Sequence, residues 1–171
     1  MTRGLIPVSA IVLILLCVTA FAQETATIQA TATVLPALTV TGNNDLRFEI
    51  IMPGIDKSVD KTAVGHAGEF QVQGSNLAEV TLDFDLPDSL TRGTQFIPLT
   101  FSTTDASYDD GTAGGQQAPA GTINPNLQTY HRLGAVGQMN VWIGGTVHPG
   151  AAQNLGDYGA DITLTVSYTG N

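Results

Sequence analysis

The chain has 171 residues, a formal net charge of −9 and a single cysteine, Cys17. That acidic balance excludes nucleic acid and anionic lipid as partners held by charge. The length suits one domain with a hydrophobic core.

Residues 1–22 read as a secretory signal peptide. Arg3 gives the positive end, an apolar run fills residues 5–20, and Ala20-Phe21-Ala22 puts small residues where a signal peptidase reads. An uncleaved membrane anchor is the alternative, although the run is near the minimum length for a span. Leu15 and Leu16 before Cys17 argue against a lipoprotein. Cleavage would leave residues 23–171, one cysteine-free domain of 149 residues held by burial and strand pairing. Arg3 leaves too, so five basic residues face fifteen acidic ones, a balance of −10. No second hydrophobic run follows, so no membrane span is expected after cleavage.

Residues 25–34 alternate without error. Ala26, Ile28, Ala30, Ala32 and Val34 are apolar, while Thr25, Thr27, Gln29, Thr31 and Thr33 are polar. A period of two over ten residues predicts a strand with one apolar face. Burying Ile28 and Val34 would contribute about 2 kcal/mol each, and the three alanines under about 1 each. That is adequate for a strand in its own sheet, the first reading, and thin for a donor strand exchanged with a neighbour, the alternative, where larger residues would be expected. Pro36 ends or kinks it. Leu38 to Thr41 continues it weakly, Gly42 to Asp45 turns, and Leu46 to Ile50 alternates again. Met52 to Asp56 is a turn, and residues 57–64 read as a weak edge strand or loop.

Residues 69–73 form a strand closed by Gly74-Ser75-Asn76. The clearest interior strand is residues 79–86, with Val80, Leu82, Phe84 and Leu86 opposite Thr81, Asp83 and Asp85. Residues 95–102 are a strand in which Pro98 predicts an edge or bulge. Asp, Gly, Ala, Gln, Thr and Pro dominate residues 103–126, which read as a long, mobile polar loop. Residues 129–133 return to extended structure. Residues 138–148 form a strand bent at Gly144-Gly145, with Trp142 on the face opposite Met139, Val141 and Ile143. In the last strand, residues 161–168, Ile162, Leu164, Val166 and Tyr168 share a face. About eight or nine strands, without an amphipathic helix, predict an all-β, antiparallel β-sandwich.

Several stretches carry a resemblance. They are Ala30-Thr31-Ala32-Thr33-Val34, Ala37-Leu38-Thr39-Val40-Thr41, Leu46-Arg47-Phe48 and Met52-Pro53-Gly54. Further along come Ala67-Gly68-Glu69-Phe70-Gln71-Val72-Gln73-Gly74, Ile143-Gly144-Gly145-Thr146-Val147 and Gly156-Asp157-Tyr158-Gly159-Ala160-Asp161. Together they resemble a family of bacterial exported proteins known as domain of unknown function 4402. The two ends also resemble spore-coat-U-like proteins and archaic chaperone–usher pilins. Glu49 stands where the family pattern often has glycine, and the mature chain lacks the cysteines of a pilin disulfide. The resemblance implies an immunoglobulin-like sandwich, exported to the periplasm, cell surface or medium, whose strands are shared between subunits. An N-terminal segment of one subunit would complete the next, and a periplasmic chaperone would be a partner. The pairing residues would be Ala26, Ile28, Ala30, Ala32 and Val34 at one end, and Ile162, Leu164, Val166 and Tyr168 at the other.

The residues suggest little chemistry. His66, His131 and His148 are scattered without metal-ligand spacing and read as solvated loop histidines. The acids Asp105, Asp109 and Asp110 lack the spacing of an EF-hand and read as an acidic turn, with calcium as the alternative. Gly111 to Gly115 lacks the lysine and helix of a phosphate loop. Asp83 and Asp85 read as solvated strand residues. Trp142 with Tyr158 and Tyr130 suggests either core packing or a sugar platform. No catalytic residue and no cofactor are expected. The expected function is a non-enzymatic, secreted or cell-surface structural protein, a pilus-like or fibre subunit. A monomeric binding module for a glycan or protein, acting through residues 103–126, is the alternative, and a hydrolase with an unseen site is the weakest reading.

Overall fold

The computed structural model describes residues 24–170, so the expected signal peptide lies outside the described residues. The chain divides into two units, residues 1–33 and 34–171. Of the first, residues 24–33 carry no strand and every one is exposed. This corrects the expectation of a strand within the fold. A ribbon gains its hydrogen bonds only from a partner, and among the described residues no strand pairs with this segment.

The second unit is all-β, with no helix among the described residues and twelve strands in antiparallel sheets. One sheet has the order β1 (Thr39–Asn44), β3 (Gly68–Gln73), β10 (Gln138–Ile143), β7 (Ala106–Asp109), β8 (Gly121–Ile123). A second runs β12 (Thr163–Tyr168), β4 (Glu79–Asp85), β9 (Thr129–Arg132). A third runs β2 (Lys57–Val59), β11 (Gly145–Val147), β6 (Gln95–Thr100), β5 (Ser89–Arg92). The count exceeds the eight or nine expected because β2, β5, β7, β8 and β11 are three or four residues long. Such short pieces hardly register as alternation.

The first two sheets close on one core. Val72, Met139, Val141, Ile143, Ala106 and Ile123 from the first meet Val80, Leu82 and Leu164 from the second. The alternation in β4 and β12 works as expected. Val80 stands opposite Tyr168, Leu82 opposite Val166 and Phe84 opposite Leu164, so the apolar faces coincide pair by pair. Asp83 and Asp85 are exposed. A second core of Phe48, Val59, Ala67, Ile97, Leu99 and Val147 lies under the third sheet.

Gly144 is where the chain passes from one sheet to another. A Cβ there would run into the carbonyl of Val59, so only glycine lets β10 end and β11 begin. Pro98 departs from expectation, since β6 is interior. The ladder from β11 stops at Leu99, and beyond it His148 donates a single N–H to the Pro98 carbonyl. The missing proline N–H therefore falls past the end of the ladder. Residues 46–50 form no strand, because Glu49 takes φ 54°. Phe48 is nevertheless buried.

Residues 103–126 are not one long loop. They contain β7 and β8, which pair through Ala106–Ile123, Ser107–Thr122 and Tyr108–Gly121. The turn between them is organised by the buried carboxylate of Asp109. It accepts N–H groups from Gly111 (2.8 Å), Ala113 (3.2 Å) and Gly115 (2.7 Å). Burial opposes the Asp109 charge, but the backbone donors of Gly111, Gly115, Ala113 and Thr112 outweigh it and hold the carboxyl below its usual range.

Candidate functional site

β1 and β12 are both edge strands, each bonded on one side only among the described residues. They approach each other without forming a ladder. The end of β12 meets the chain just ahead of β1, and the end of β1 shares a cavity with the residues ahead of β12, so the two run in opposite directions and leave a groove between two edges unpaired among the described residues. At the lower pole of the sandwich, Tyr168 closes this groove. Its hydroxyl donates to the Pro36 carbonyl (3.0 Å) and accepts the Ser75 N–H (2.7 Å). Gly74 makes room for the ring, since a Cβ there would stand 2.5 Å from the Tyr168 Oη.

Above Tyr168, Phe70 and Ile162 line the space. Leu38, Phe70, Ile162, Val166 and Tyr168 are only partly buried yet pack on the main core. The upper end widens into a cavity of about 370 Å³ between residues 42–48 and 160–162, with Phe70, Leu90, Leu99 and Ile143 also lining it. Asn44, Asp45, Arg47 and Asp161 rim it with polar groups. An open edge beside half-covered apolar side chains is a place where a further strand can pair and bury surface.

The expected pairing residues divide accordingly. Leu164, Val166 and Tyr168 lie on β12, pointing at the core and paired with β4, while Ile162 precedes the strand at the cavity rim. Ala26, Ile28, Ala30, Ala32 and Val34 are all exposed, Ile28 at 92% and Val34 at 93%.

The other candidates are not brought together. Trp142 is buried on β10, Tyr158 packs beside the second core, and Tyr130 is exposed on β9, so the three make no platform. The acids of residues 105–111 each serve their own turn. Asp105 accepts from the Ser102 N–H and Oγ, and Asp110 from the Thr112 N–H and Oγ1. Among the described residues, no three His, Cys, Asp or Glu side chains converge as metal ligands.

Two histidines correct the reading of solvated loops. His131 lies on β9 with its ring 4.3 Å from that of Tyr108 and its Nε2 buried, and burial lowers its pKa. His148 links two segments that spacing in the sequence does not connect. Its Nε2 lies 2.9 Å from Thr100 Oγ1 and its Nδ1 2.8 Å from Asp56 Oδ2. The order hydroxyl–imidazole–carboxylate has the connectivity of a nucleophile relay. It lies on the outer surface of β6 and β11, away from the cavity described above. Its evident effect is to tie the segment before β2 to the third sheet.

No protein-family model matches the chain, and no curated protein matches it.

Proposed function

We propose that this is a non-enzymatic, exported structural subunit that assembles by strand exchange, residues 24–34 of one copy seating in the groove between β1 and β12 of the next. The observation that carries this reading is the groove itself, two unpaired edges flanking apolar side chains that the domain leaves half covered. A segment with the matching alternation, standing free of any strand, supplies the donor. Seated with its even positions inward, it would place Ile28, Val34 and the alanines against Phe70, Ile162 and Val166. Before assembly the same groove would be the surface that a periplasmic chaperone covers. The alternative of a monomeric binding module draws less support, because its aromatic residues are dispersed and residues 103–126 are folded into strands and a tied turn.

Purified protein run in mild SDS without boiling tests the proposal. A ladder of oligomers is expected, and deletion of residues 23–34 should abolish it while leaving a folded monomer. A full chain that stays monomeric under assembly conditions, or a deleted chain that still gives the ladder, refutes it.

A further inference from the structure

The two poles of the sandwich differ in a way the groove does not explain. At the lower pole, the loop of residues 74–78 and the loop of residues 133–137 contain no charged residue, in a chain of net charge −9. They are joined by the Leu77 N–H donating to Gly134 O and the Gly74 N–H donating to Gly137 O. From these two uncharged loops project Leu77, 59% exposed, and Val136, 78% exposed. Leu77 also has φ 57°, a left-handed conformation that a bulky side chain rarely takes. A leucine kept strained and exposed, where glycine would be comfortable and water would favour a polar group, points to a contact.

The upper pole carries the counterpart. Gly54 N–H bonds to the carbonyls of Pro149 and Gly150, and Arg92 to the carbonyl of Leu155, so the loops of residues 52–55 and 149–155 and the β5–β6 turn are laced together. Met52, Ile55 and Leu155 stand exposed there, at 63%, 59% and 85%.

We infer that these two poles are mutual docking surfaces, the Leu77–Val136 knob of one copy seating on Met52, Ile55 and Leu155 of a second copy. The inference rests on the strand-exchange reading for its geometry. The segment ahead of Pro36 leaves the domain at the lower pole, beside Ser75 and Tyr168. A donor strand so tethered brings that pole against the end of the acceptor's groove. Acidic copies repel one another, so loops that carry no charge are where two of them meet at lower electrostatic cost. The contact would turn a string of domains joined by single strands into a stiff rod.

Cysteine cross-linking tests this in a chain carrying Cys17→Ser. Val136→Cys is mixed in turn with Met52→Cys, Ile55→Cys and Leu155→Cys, assembled and oxidised, with Asp83→Cys on the side of the sandwich as the control. Disulfide-linked pairs from at least one upper-pole position, well above the control, are expected. A normal ladder with cross-linking no higher than the control overturns the polar contact and leaves strand exchange standing. Cross-linking without a ladder supports the contact and overturns strand exchange; neither signal overturns both. Leu77→Gly gives a second readout that the fold should survive, because glycine suits φ 57°. Its melting temperature should hold or rise while assembled rods, viewed by electron microscopy, become visibly more flexible. Rods as stiff as those of the parent chain would count against the inference.

Discussion

Residues 25–34 and residues 103–126 make an instructive pair. The first has ten residues of faultless alternation and takes no strand; the second is rich in glycine, aspartate and alanine and contains two. The difference lies in who supplies the hydrogen bonds. Alternation states which face a ribbon would bury, but the backbone must still find a partner. Residues 25–34 have none among the described residues of their own chain, and three alanines give little reason to collapse. Residues 103–126 have β10 as a template for β7, β7 for β8, and a buried carboxylate that gathers the N–H groups of the connecting turn.

The largest effect should come from removing that carboxylate. Asp109→Ala strips the acceptor from three backbone donors at a buried site and should cost about 2–4 kcal/mol, read as a shift of the urea midpoint. Stability unchanged by the substitution would mean that strand pairing alone orders the turn, which would break the contrast drawn above. Acid should act on the same region next. The folded-state pKa of Asp109 is depressed, so its contribution is present above its ordinary value of 3.8 and is lost as pH falls through the folded value. The pKa of His131, whose ring packs at a tilt against Tyr108 of β7, is also depressed by burial, from 6.5. Its neutral form is favoured by folding, so stability should be full above pH 6.5 and decline as pH falls below it. His131→Phe should keep the ring contact with Tyr108 and lose less melting temperature than the parent between about pH 7.5 and 5.5. An identical loss in both chains would remove the histidine from the account.

The smallest effect should fall on the opening segment. Ile28→Asp combined with Val34→Asp should change the unfolding free energy of the isolated chain by less than about 0.5 kcal/mol, since both side chains are already in water. The same pair should weaken the SDS-resistant ladder sharply. A large loss of monomer stability would show that the segment packs within its own chain after all.

Much of the sandwich could be read from residues because its interior strands bury one face and solvate the other. β4 with Val80 and Leu82 against Asp83 and Asp85, and β12 with Leu164 and Val166, announce themselves. Gly144 likewise signals the bend between β10 and β11. Residues 46–50 misled because Glu49 adopts a conformation that alternation does not reveal, and β7 and β8 because short strands among glycines look like turns. The groove itself left no mark on the sequence, where only one of its walls, β12, carries a clear alternation. That β1 and β12 face each other unpaired is a fact of the closed fold. The meeting of Thr100, His148 and Asp56 left no trace in spacing, since those residues come from separate strands and loops.

The Tyr168 hydroxyl, bonded at once to the Pro36 carbonyl and the Ser75 N–H, has a mechanical meaning. A pull on the chain ahead of Pro36 reaches the domain beside the roots of three strands, β1, β4 and β12. Tension directed along β1 would load its rungs to β3 in shear together instead of peeling them off one by one. A single phenol thus anchors the place where tension from that stretch of chain would enter the domain.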